Sequence, residues 1–317
     1  MNPVRTRVLY VGGTGRSGST VLANVLGEVP GLVSVGEVRF LWERGVLQNR
    51  LCGCGEHFAD CPFWTKVLEV AFGSSDVGDT ARRLSAELAQ RTRMRRIPGL
   101  LARRPSAPGS DELGDAIGRV YAAVAEVSGA DVVVDSSKLP TYAAVVGDLP
   151  DVELQVLHLV RDPRAAAHSW RRRKHQPDLG GAALMERRGA VKSAVLWRVW
   201  NSTLDKWCRD RGIDHRLQNY ESFVADPEGE TRRILRRFDL VHPYRVDDIV
   251  EELFERPGVV RLGGNHTVAG NPSRHQHGLV PLVPDEEWRA ALGRTDRRTV
   301  EILTWPTLVH YGYRARA

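Results

Sequence analysis

The sequence predicts a three-layer α/β fold in which helices cover both faces of a central parallel sheet. Short apolar runs typical of buried strands alternate with segments whose apolar residues recur at helical spacing. The first run, Val8–Val11, leads through a glycine-rich turn directly into the helical pattern of residues 21–26. A chain of 317 residues is long enough for one large domain over residues 1–317, with a helical insertion at about residues 66–128.

The glycine-rich turn, Gly13–Thr20, has the sequence G-T-G-R-S-G-S-T. Its glycines let backbone N–H groups face inward, and the start of the next helix favours negative charge, so the segment predicts an anion-binding loop. The spacing from Gly13 to Gly18 is that of the P-loop, but Ser19 stands where the P-loop has lysine. A cation appears three positions earlier, as Arg16. This displacement argues against phosphotransferases, which place the lysine on the transferring phosphate.

A second basic motif follows another strand-like run, Leu154–Val160. It begins at Arg161, and the next two residues, Asp and Pro, suit the N-cap and the first position of a helix. Arg161 is therefore expected at the mouth of this helix, and Ser169 two turns along it. Arg173 is expected one further turn along the same face.

Together, the two motifs resemble those of sulfotransferases that use 3′-phosphoadenosine 5′-phosphosulfate (PAPS), in particular bacterial members similar to carbohydrate and tyrosylprotein sulfotransferases. In that family, a loop of the first kind holds the 5′-phosphosulfate. An arginine followed eight residues later by a serine holds the 3′-phosphate. The resemblance implies a P-loop-like fold with helical insertions on the side where the acceptor binds.

Two later segments extend the resemblance. Leu217–Glu228 is similar to the Y-E-x-[LF]-x-x-x-P-E segment of these enzymes and implies a position near the nucleotide for Tyr220. The Gly/Asn/Pro-rich Gly264–Arg274 must be a loop and resembles the one that covers the 3′-phosphate, with Arg274 as its main contact and His266 as a weaker one. The residues implied for the nucleotide are Arg16, Ser17, Gly18, Ser19, Thr20, Arg161, Ser169, Arg173, Tyr220 and Arg274.

Three charged residues are implied for the chemistry. Glu37 follows the strand-like run Leu32–Val35, lies 21 residues after Arg16, and resembles the catalytic base of the family. Lys138, in Asp-Ser-Ser-Lys, resembles the Lys or His that lies beside the sulfonate. We expect Arg16 and Lys138 to stabilise negative charge on the bridging oxygen while Glu37 removes the acceptor proton.

Asp135 supports an alternative prediction. Apolar residues ending in an aspartate also describe a Walker-B strand, in which Asp135 would bind Mg²⁺ in a P-loop phosphotransferase or kinase. A non-catalytic protein that binds adenosine bisphosphate is a third candidate. The preferred prediction is sulfonate transfer from PAPS to a hydroxyl of a small-molecule, carbohydrate or natural-product acceptor, without a metal. Its products are a sulfate ester and adenosine 3′,5′-bisphosphate.

The composition suits a small polyanionic ligand. Lys and Arg total 45 against 39 Asp and Glu, which gives a net charge of +6 and a pI near 9.3. No aromatic–basic RNA motif appears, so no nucleic-acid partner is expected. No apolar run approaches the roughly 20 residues that span a bilayer, and no room for a signal peptide precedes the first strand. We therefore expect a cytoplasmic protein without stable membrane insertion.

Three of the four cysteines cluster in sequence. Cys52, Cys54 and Cys61 lie in C-G-C-G…C-P-F-W, far from Cys208. A zinc site would need a fourth ligand, for which His57 is the candidate. A disulfide from Cys61 to Cys52 or Cys54, disfavoured in a reducing cytosol, and free thiols are the alternatives. Similar segments in bacterial sulfotransferases suggest a clamp on a loop near the acceptor.

Helical spacing predicts three long helices, at residues 77–92, 111–128 and 182–210. The last carries tryptophans on one side, which we expect to lie in the core, and should end at Gly212. The Arg-rich segment 91–108 predicts a mobile surface loop, with a lid or an anionic docking patch as the alternative.

Overall fold

The computed structural model describes residues 5–73, 77–102, 112–179 and 184–314. Its centre is a sheet of five strands in the order β2-β3-β1-β4-β5, and all neighbouring strands run parallel. The predicted α/β class with a central parallel sheet is confirmed. The strands are β1 (Thr6–Gly13), β2 (Leu32–Gly36), β3 (Val132–Lys138), β4 (Val152–Val160) and β5 (Asp214–Asn219).

Helices cover the sheet on both faces. Within the described residues they are α1 (Ser19–Gly27), α2 (Pro62–Phe72), α3 (Gly78–Arg91), α4 (Ile97–Leu101), α5 (Glu112–Ser128), α6 (Pro140–Gly147), α7 (Pro163–Arg171), α8 (Ala190–Arg211), α9 (Tyr220–Ala225), α10 (Pro227–Arg237), α11 (Val246–Leu253), α12 (Trp288–Ala291), α13 (Arg294–Thr304) and α14 (Thr307–His310). A small antiparallel sheet contains β6 (Phe254–Arg256), β7 (Val259–Leu262) and β8 (Gly278–Pro281). No helix of the described residues is long and apolar enough to cross a membrane.

The side chains of β1 point alternately to the two faces of the sheet, and both faces are buried, which explains why its sequence is continuously apolar. Val8 and Tyr10 lie in one buried cluster with residues of α5, α6 and α8. Leu9 and Val11 point the other way, into a second cluster with residues of α1, α10 and α11. Since successive side chains of a strand face opposite sides, a strand buried on both faces cannot show a polar stripe.

The predicted helices at 77–92 and 111–128 correspond to α3 and α5. Helices α2 to α5 follow β2 and precede β3 along the chain. The prediction for 182–210 was wrong at its start, because residues 184–189 are not helical and α8 begins only at Ala190, after Gly189. The backbone of residues 185–188 instead pairs with residues 170–174. The end of α8 is as predicted, since Gly212 caps it at a φ of 64°.

The tryptophans of α8 are largely interior, as expected. Trp197 and Trp207 are buried, whereas the apolar Val191 and Val195 of the same helix are 57% and 40% exposed. The Arg-rich segment is also more regular than predicted up to residue 102, because α4 buries Ile97 and packs on α6 and α8. The rest of that segment, residues 103–108, lies outside the described residues.

Candidate active site

A cavity of about 410 Å³ lies at the edge of the sheet where the parallel strands end. The turn after β1, the residue after β2, the last residue of β3 and the residue after β4 all contribute to its wall. This is the edge where α/β proteins place their ligand sites. The predicted residues on the wall are Arg16, Gly18, Ser19, Thr20, Glu37, Lys138, Arg161, Ser169 and Tyr220.

The glycine-rich turn has the geometry that its sequence predicts. Gly13 and Gly18 adopt φ angles of 135° and 91°, a region that favours glycine. A Cβ at Gly18 would lie 2.3 Å from the Tyr220 ring, so both backbone angle and space require glycine there. α1 then begins at Ser19, with no acidic residue in its first turn and no capping side chain among the described residues. Its N-terminal N–H groups are therefore available to an anion.

Arg16 is a half-buried cation with weak protein partners. Its Nη1 and Nη2 atoms lie 3.5 Å from the sulfur of Met185, and its guanidinium lies 4.8 Å from the centre of the Trp170 ring. Nε has no hydrogen-bond partner among the described residues. Burial, together with the nearby Arg188, lowers the pKa of Arg16 to about 10. The residue remains charged at neutral pH and keeps hydrogen-bonding capacity for a ligand.

Glu37 and Lys138 form a buried ion pair on the cavity wall. Glu37 is 7% exposed, and its Oε1 lies 2.9 Å from the Lys138 Nζ. Arg39 approaches the other carboxylate oxygen at 3.5 Å. Burial alone would raise the pKa of Glu37, but the charges of Lys138 and Arg39 outweigh it and hold the pKa below its usual value. Burial lowers the pKa of Lys138, and the Glu37 carboxylate opposes that shift. Each charge therefore favours the ionised form of the other.

Asp135 does not reach the cavity. It is completely buried and accepts hydrogen bonds from the Ser137 N–H at 2.8 Å, the Ser137 hydroxyl at 2.6 Å and the Tyr121 hydroxyl at 2.5 Å. Burial raises its pKa to about 6 in spite of these bonds. The Walker-B interpretation is therefore wrong, because this carboxylate faces the protein and shapes the turn that ends at Lys138, whose φ is 69°.

The mouth of α7 is built as predicted around Arg161. Asp162 caps the helix by accepting a hydrogen bond from the Arg164 N–H, and the Arg161 guanidinium lies 4.7 Å from the centre of the Tyr220 ring. Nη1 donates to the Arg16 carbonyl at 3.2 Å, while Nε has no partner among the described residues. Nη2 lies 3.1 Å from a carboxylate oxygen of Asp285, an acid that no sequence motif revealed.

Four predicted contacts are not on the cavity wall as far as the described residues define it: Ser17, Arg173, His266 and Arg274. Ser17 is a buried residue of the loop itself. Arg173 is exposed because α7 ends at Arg171, which removes the helical turn that would have aligned it with Ser169.

Arg274 is completely buried and serves as an internal connector. Its Nη2 donates to the Leu51 carbonyl at 2.7 Å and lies 3.2 Å from Asp178. His266 belongs to a cysteine cluster, with its Nδ1 at 3.3 Å from the Cys61 sulfur. Both residues therefore hold loops together, and neither lines the cavity among the described residues.

Cationic and aromatic residues that sequence reasoning missed complete the wall. Arg39 and Arg44 both contact the Phe40 ring, at 3.8 and 3.5 Å from its centre. Lys174 and Trp170 also line the cavity. Arg39 and Arg44 could have been found from the sequence, because they closely follow Glu37. Nothing in the sequence distinguished Lys174 from its basic neighbours.

A parallel sheet with a glycine-rich turn and a cation-lined cavity at its carboxyl edge defines an α/β protein with a candidate site for anionic ligands. Within that class, residues 9–243 match the model of the sulfotransferase family. Because the match covers most of the sequence, the chain belongs to the sulfotransferase family.

One solved structure supports the fold, and a second match is weaker. The sulfotransferase domain from the curacin biosynthetic pathway matches with a TM-score of 0.50 at 14% identity, over 98% of this chain and 99% of that chain. The sulfotransferase STF9 from Mycobacterium avium matches with a TM-score of 0.43 at 14% identity, over 79% of this chain and 68% of that chain. No curated protein matches the sequence.

Proposed function

We propose that the protein transfers the sulfonate group of PAPS to a hydroxyl of a small-molecule, carbohydrate or natural-product acceptor. The observation that supports this proposal most directly is the Glu37–Lys138 ion pair, 2.9 Å apart, on the same cavity wall as the loop cation Arg16. This wall combines a base, two cations and an anion-binding loop. These are the groups that an in-line transfer between two oxygens requires.

The described residues fit the PAPS donor. The free N–H groups at the start of α1 suit the 5′-phosphosulfate, and the unpartnered Nε of Arg16 adds a charged donor beside them. Arg161 and Ser169 suit the 3′-phosphate, since both line the cavity and Arg161 also has an unpartnered Nε. In this assignment, the 3′-phosphate replaces Asp285 as the anionic partner of Arg161.

In the proposed reaction, the acceptor oxygen forms a bond to sulfur as the bond from sulfur to the bridging phosphate oxygen breaks. Glu37 takes the acceptor proton, and adenosine 3′,5′-bisphosphate leaves. Arg16 and Lys138 stabilise the charge that develops on the bridging oxygen. As Lys138 turns toward that oxygen, its hold on Glu37 weakens, so Glu37 becomes more basic at the moment when it must accept a proton.

The alternative functions have less support. A phosphotransferase needs a carboxylate on Mg²⁺, and Asp135 is turned away from the cavity with its oxygens hydrogen-bonded inside the protein. A non-catalytic binder of adenosine bisphosphate would need the anion-binding loop, but it would gain nothing from the buried Glu37–Lys138 pair.

The test is a donor comparison. The purified protein is incubated with PAPS, or with ATP and Mg²⁺, and with a panel of hydroxyl compounds that includes phenols, sugars and alcohols. Mass spectrometry then follows the products. The proposal expects adenosine 3′,5′-bisphosphate and a sulfate ester in equal amounts from PAPS, and no transfer from ATP. Phosphorylated products from ATP would support a phosphotransferase. Tight bisphosphate binding without turnover on the whole panel would support a binding protein.

A further inference from the structure

Four metal-ligating side chains converge at one point away from the cavity wall. The sulfur atoms of Cys52, Cys54 and Cys61 and a ring nitrogen of His266 all lie within 4.8 Å of one another. The Cys54 and Cys61 sulfurs are 3.7 Å apart, and the Cys61 sulfur lies 3.3 Å from the His266 Nδ1. The sequence has four cysteines. All of them lie in the part of the chain that the structure describes, and all are free thiols.

The two separations of 3.7 and 3.3 Å are close to those between the ligands of a tetrahedral zinc ion. With Zn–S bonds of about 2.3 Å and Zn–N bonds of about 2.0–2.1 Å, neighbouring ligands of a tetrahedron lie about 3.5–3.8 Å apart. Three cysteines and one histidine are also a ligand set that structural zinc sites use. Soft thiolates disfavour Mg²⁺ and Ca²⁺, which prefer oxygen ligands.

The backbone around the cluster is shaped so that the ligands meet. Gly53 donates its N–H to the Thr267 carbonyl at 3.0 Å, which brings the cysteine segment against the loop that carries His266. A Cβ at Gly53 would lie 1.9 Å from the Asn265 side-chain oxygen, so only glycine allows this approach. The contact explains how a histidine 205 residues from Cys61 becomes its neighbour.

His266 is held in place by two aromatic residues. Trp64 donates its indole N–H to the His266 carbonyl at 2.7 Å, and the Phe63 ring stacks on the imidazole with 4.8 Å between ring centres. Supporting contacts of this kind orient the ligands of metal sites. His57, the fourth ligand suggested by its position among the cysteines, instead directs its Nδ1 to the Asn49 carbonyl at 2.9 Å.

We propose that Cys52, Cys54, Cys61 and His266 bind one Zn²⁺ ion in a closed, four-coordinate structural site. Each thiol releases its proton to solvent as its Zn–S bond forms. The proposal chooses zinc among the alternatives that the sequence leaves open for these cysteines, with His266 in place of His57 as the fourth ligand, and it adds no metal to the proposed reaction. It does not depend on that reaction.

The zinc site would hold together two chain segments, one of which lines the cavity. Within the loop that carries His266, Val268 donates its N–H to the Val35 carbonyl at the end of β2, and Asn271 donates its N–H to the Thr20 hydroxyl in α1 at 3.2 Å. Asn271 also lines the cavity. Zinc would therefore cross-link the cysteine segment to a loop that touches both the anion-binding helix and the strand before Glu37.

The primary test is the metal content of the intact protein. It is produced with added zinc, purified under reducing conditions without chelators, and analysed by inductively coupled plasma mass spectrometry. We expect one zinc per chain, and X-ray absorption showing three sulfur ligands at about 2.3 Å and one nitrogen at about 2.0–2.1 Å. Protein without metal, iron in place of zinc, or a disulfide between two of the three cysteines would overturn the proposal.

Variants localise the metal. Cys61→Ser and His266→Ala should lose most of the bound zinc. Cys208→Ser and His57→Ala are the matched controls and should retain it, because neither residue belongs to the cluster. If the first two variants do not fold, titration of the wild-type thiols with a mercurial reagent replaces them and should release one zinc per chain. Zinc retained in folded His266→Ala, or no zinc released by the reagent, would contradict the assignment.

Discussion

The N-terminal end of α7 and the loop of residues 264–275 each contain a buried arginine. The two arginines differ in how many of their guanidinium nitrogens have protein hydrogen-bond partners. Arg161 lines the cavity, and its buried Nε has no hydrogen-bond partner among the described residues. In Arg274, every guanidinium nitrogen has a protein acceptor within 3.5 Å, and Asp178 balances its charge. Both arginines come from motifs that predict phosphate contacts. We therefore expect Arg161, which has an unmatched donor and lines the cavity, to bind the ligand, and Arg274, whose donors all have protein partners, to stabilise the fold.

The same contrast separates the two buried acids near the end of β3. Asp135 has its hydrogen bonds satisfied inside the protein, while Glu37 is held on the cavity wall by cations that also face the ligand. Substitution at the cavity should therefore change chemistry or nucleotide binding. Substitution of the internally satisfied groups should mainly change the free energy of unfolding.

The largest effect is expected for Glu37→Gln, which nearly conserves shape but removes the base. It should reduce kcat by roughly 10²–10⁴ while PAPS affinity stays within about threefold. Because nearby cations lower the pKa of Glu37, wild-type activity should fall with decreasing pH only below the usual range of a glutamate. Single-turnover rates at saturating PAPS across a pH series provide the measurement. A Gln variant with wild-type rates would remove Glu37 from the mechanism.

A smaller effect is expected for Arg16→Ala. Since Arg16 has only weak protein partners, its contact with the sulfonate should matter most as charge develops. We expect kcat to fall by roughly 10²–10³, in the range found for removal of one donor to a developing charge. Binding of adenosine 3′,5′-bisphosphate, measured by calorimetry, should change much less. Normal turnover with a raised KM would make Arg16 a docking charge only.

The smallest effect is expected for Asp285→Asn, and it is a gain in bisphosphate affinity where the other variants lose activity. Asp285 pairs with Arg161 and with Arg172, at 3.1 and 3.2 Å, where we place the 3′-phosphate. Loss of its negative charge should strengthen bisphosphate binding by roughly threefold to tenfold, as for a partly exposed charge pair worth about 1 kcal/mol. Titration calorimetry beside wild type measures the change. Weaker binding would show that Asp285 positions Arg161 for the ligand.

Local patterns predicted most of what depends on neighbours in sequence. The buried strands, the glycine-rich turn and the capped start of α7 follow from apolar periodicity, from glycine geometry and from Asp-Pro at a helix start. The prediction that Arg173 lies one helical turn past Ser169 was wrong, because it assumed that the helix continues, whereas α7 ends at Arg171. Nothing in local sequence indicates where a helix stops when no glycine or proline marks the end.

Contacts between distant segments were beyond the reach of these patterns. The partner of Glu37 could be inferred only through the family resemblance, since Lys138 lies about a hundred residues away. His266 reaches the cysteines because Gly53 permits a close approach of two loops, which spacing alone cannot reveal. Asp285 carries no motif at all. Its role depends on where its loop lies in three dimensions.

The contrast between Arg161 and Arg274 is tested most directly by calorimetry with adenosine 3′,5′-bisphosphate and with AMP, which lacks the 3′-phosphate. Wild type should prefer the bisphosphate. Arg161→Ala should weaken bisphosphate binding by about 10-fold to 150-fold, equivalent to about 1.5–3 kcal/mol for charge-assisted bonds, and leave AMP nearly unchanged. Arg173→Ala and Arg274→Lys should keep the wild-type preference. Equal losses for both nucleotides in Arg161→Ala, or loss of the preference in Arg274→Lys, would contradict the account.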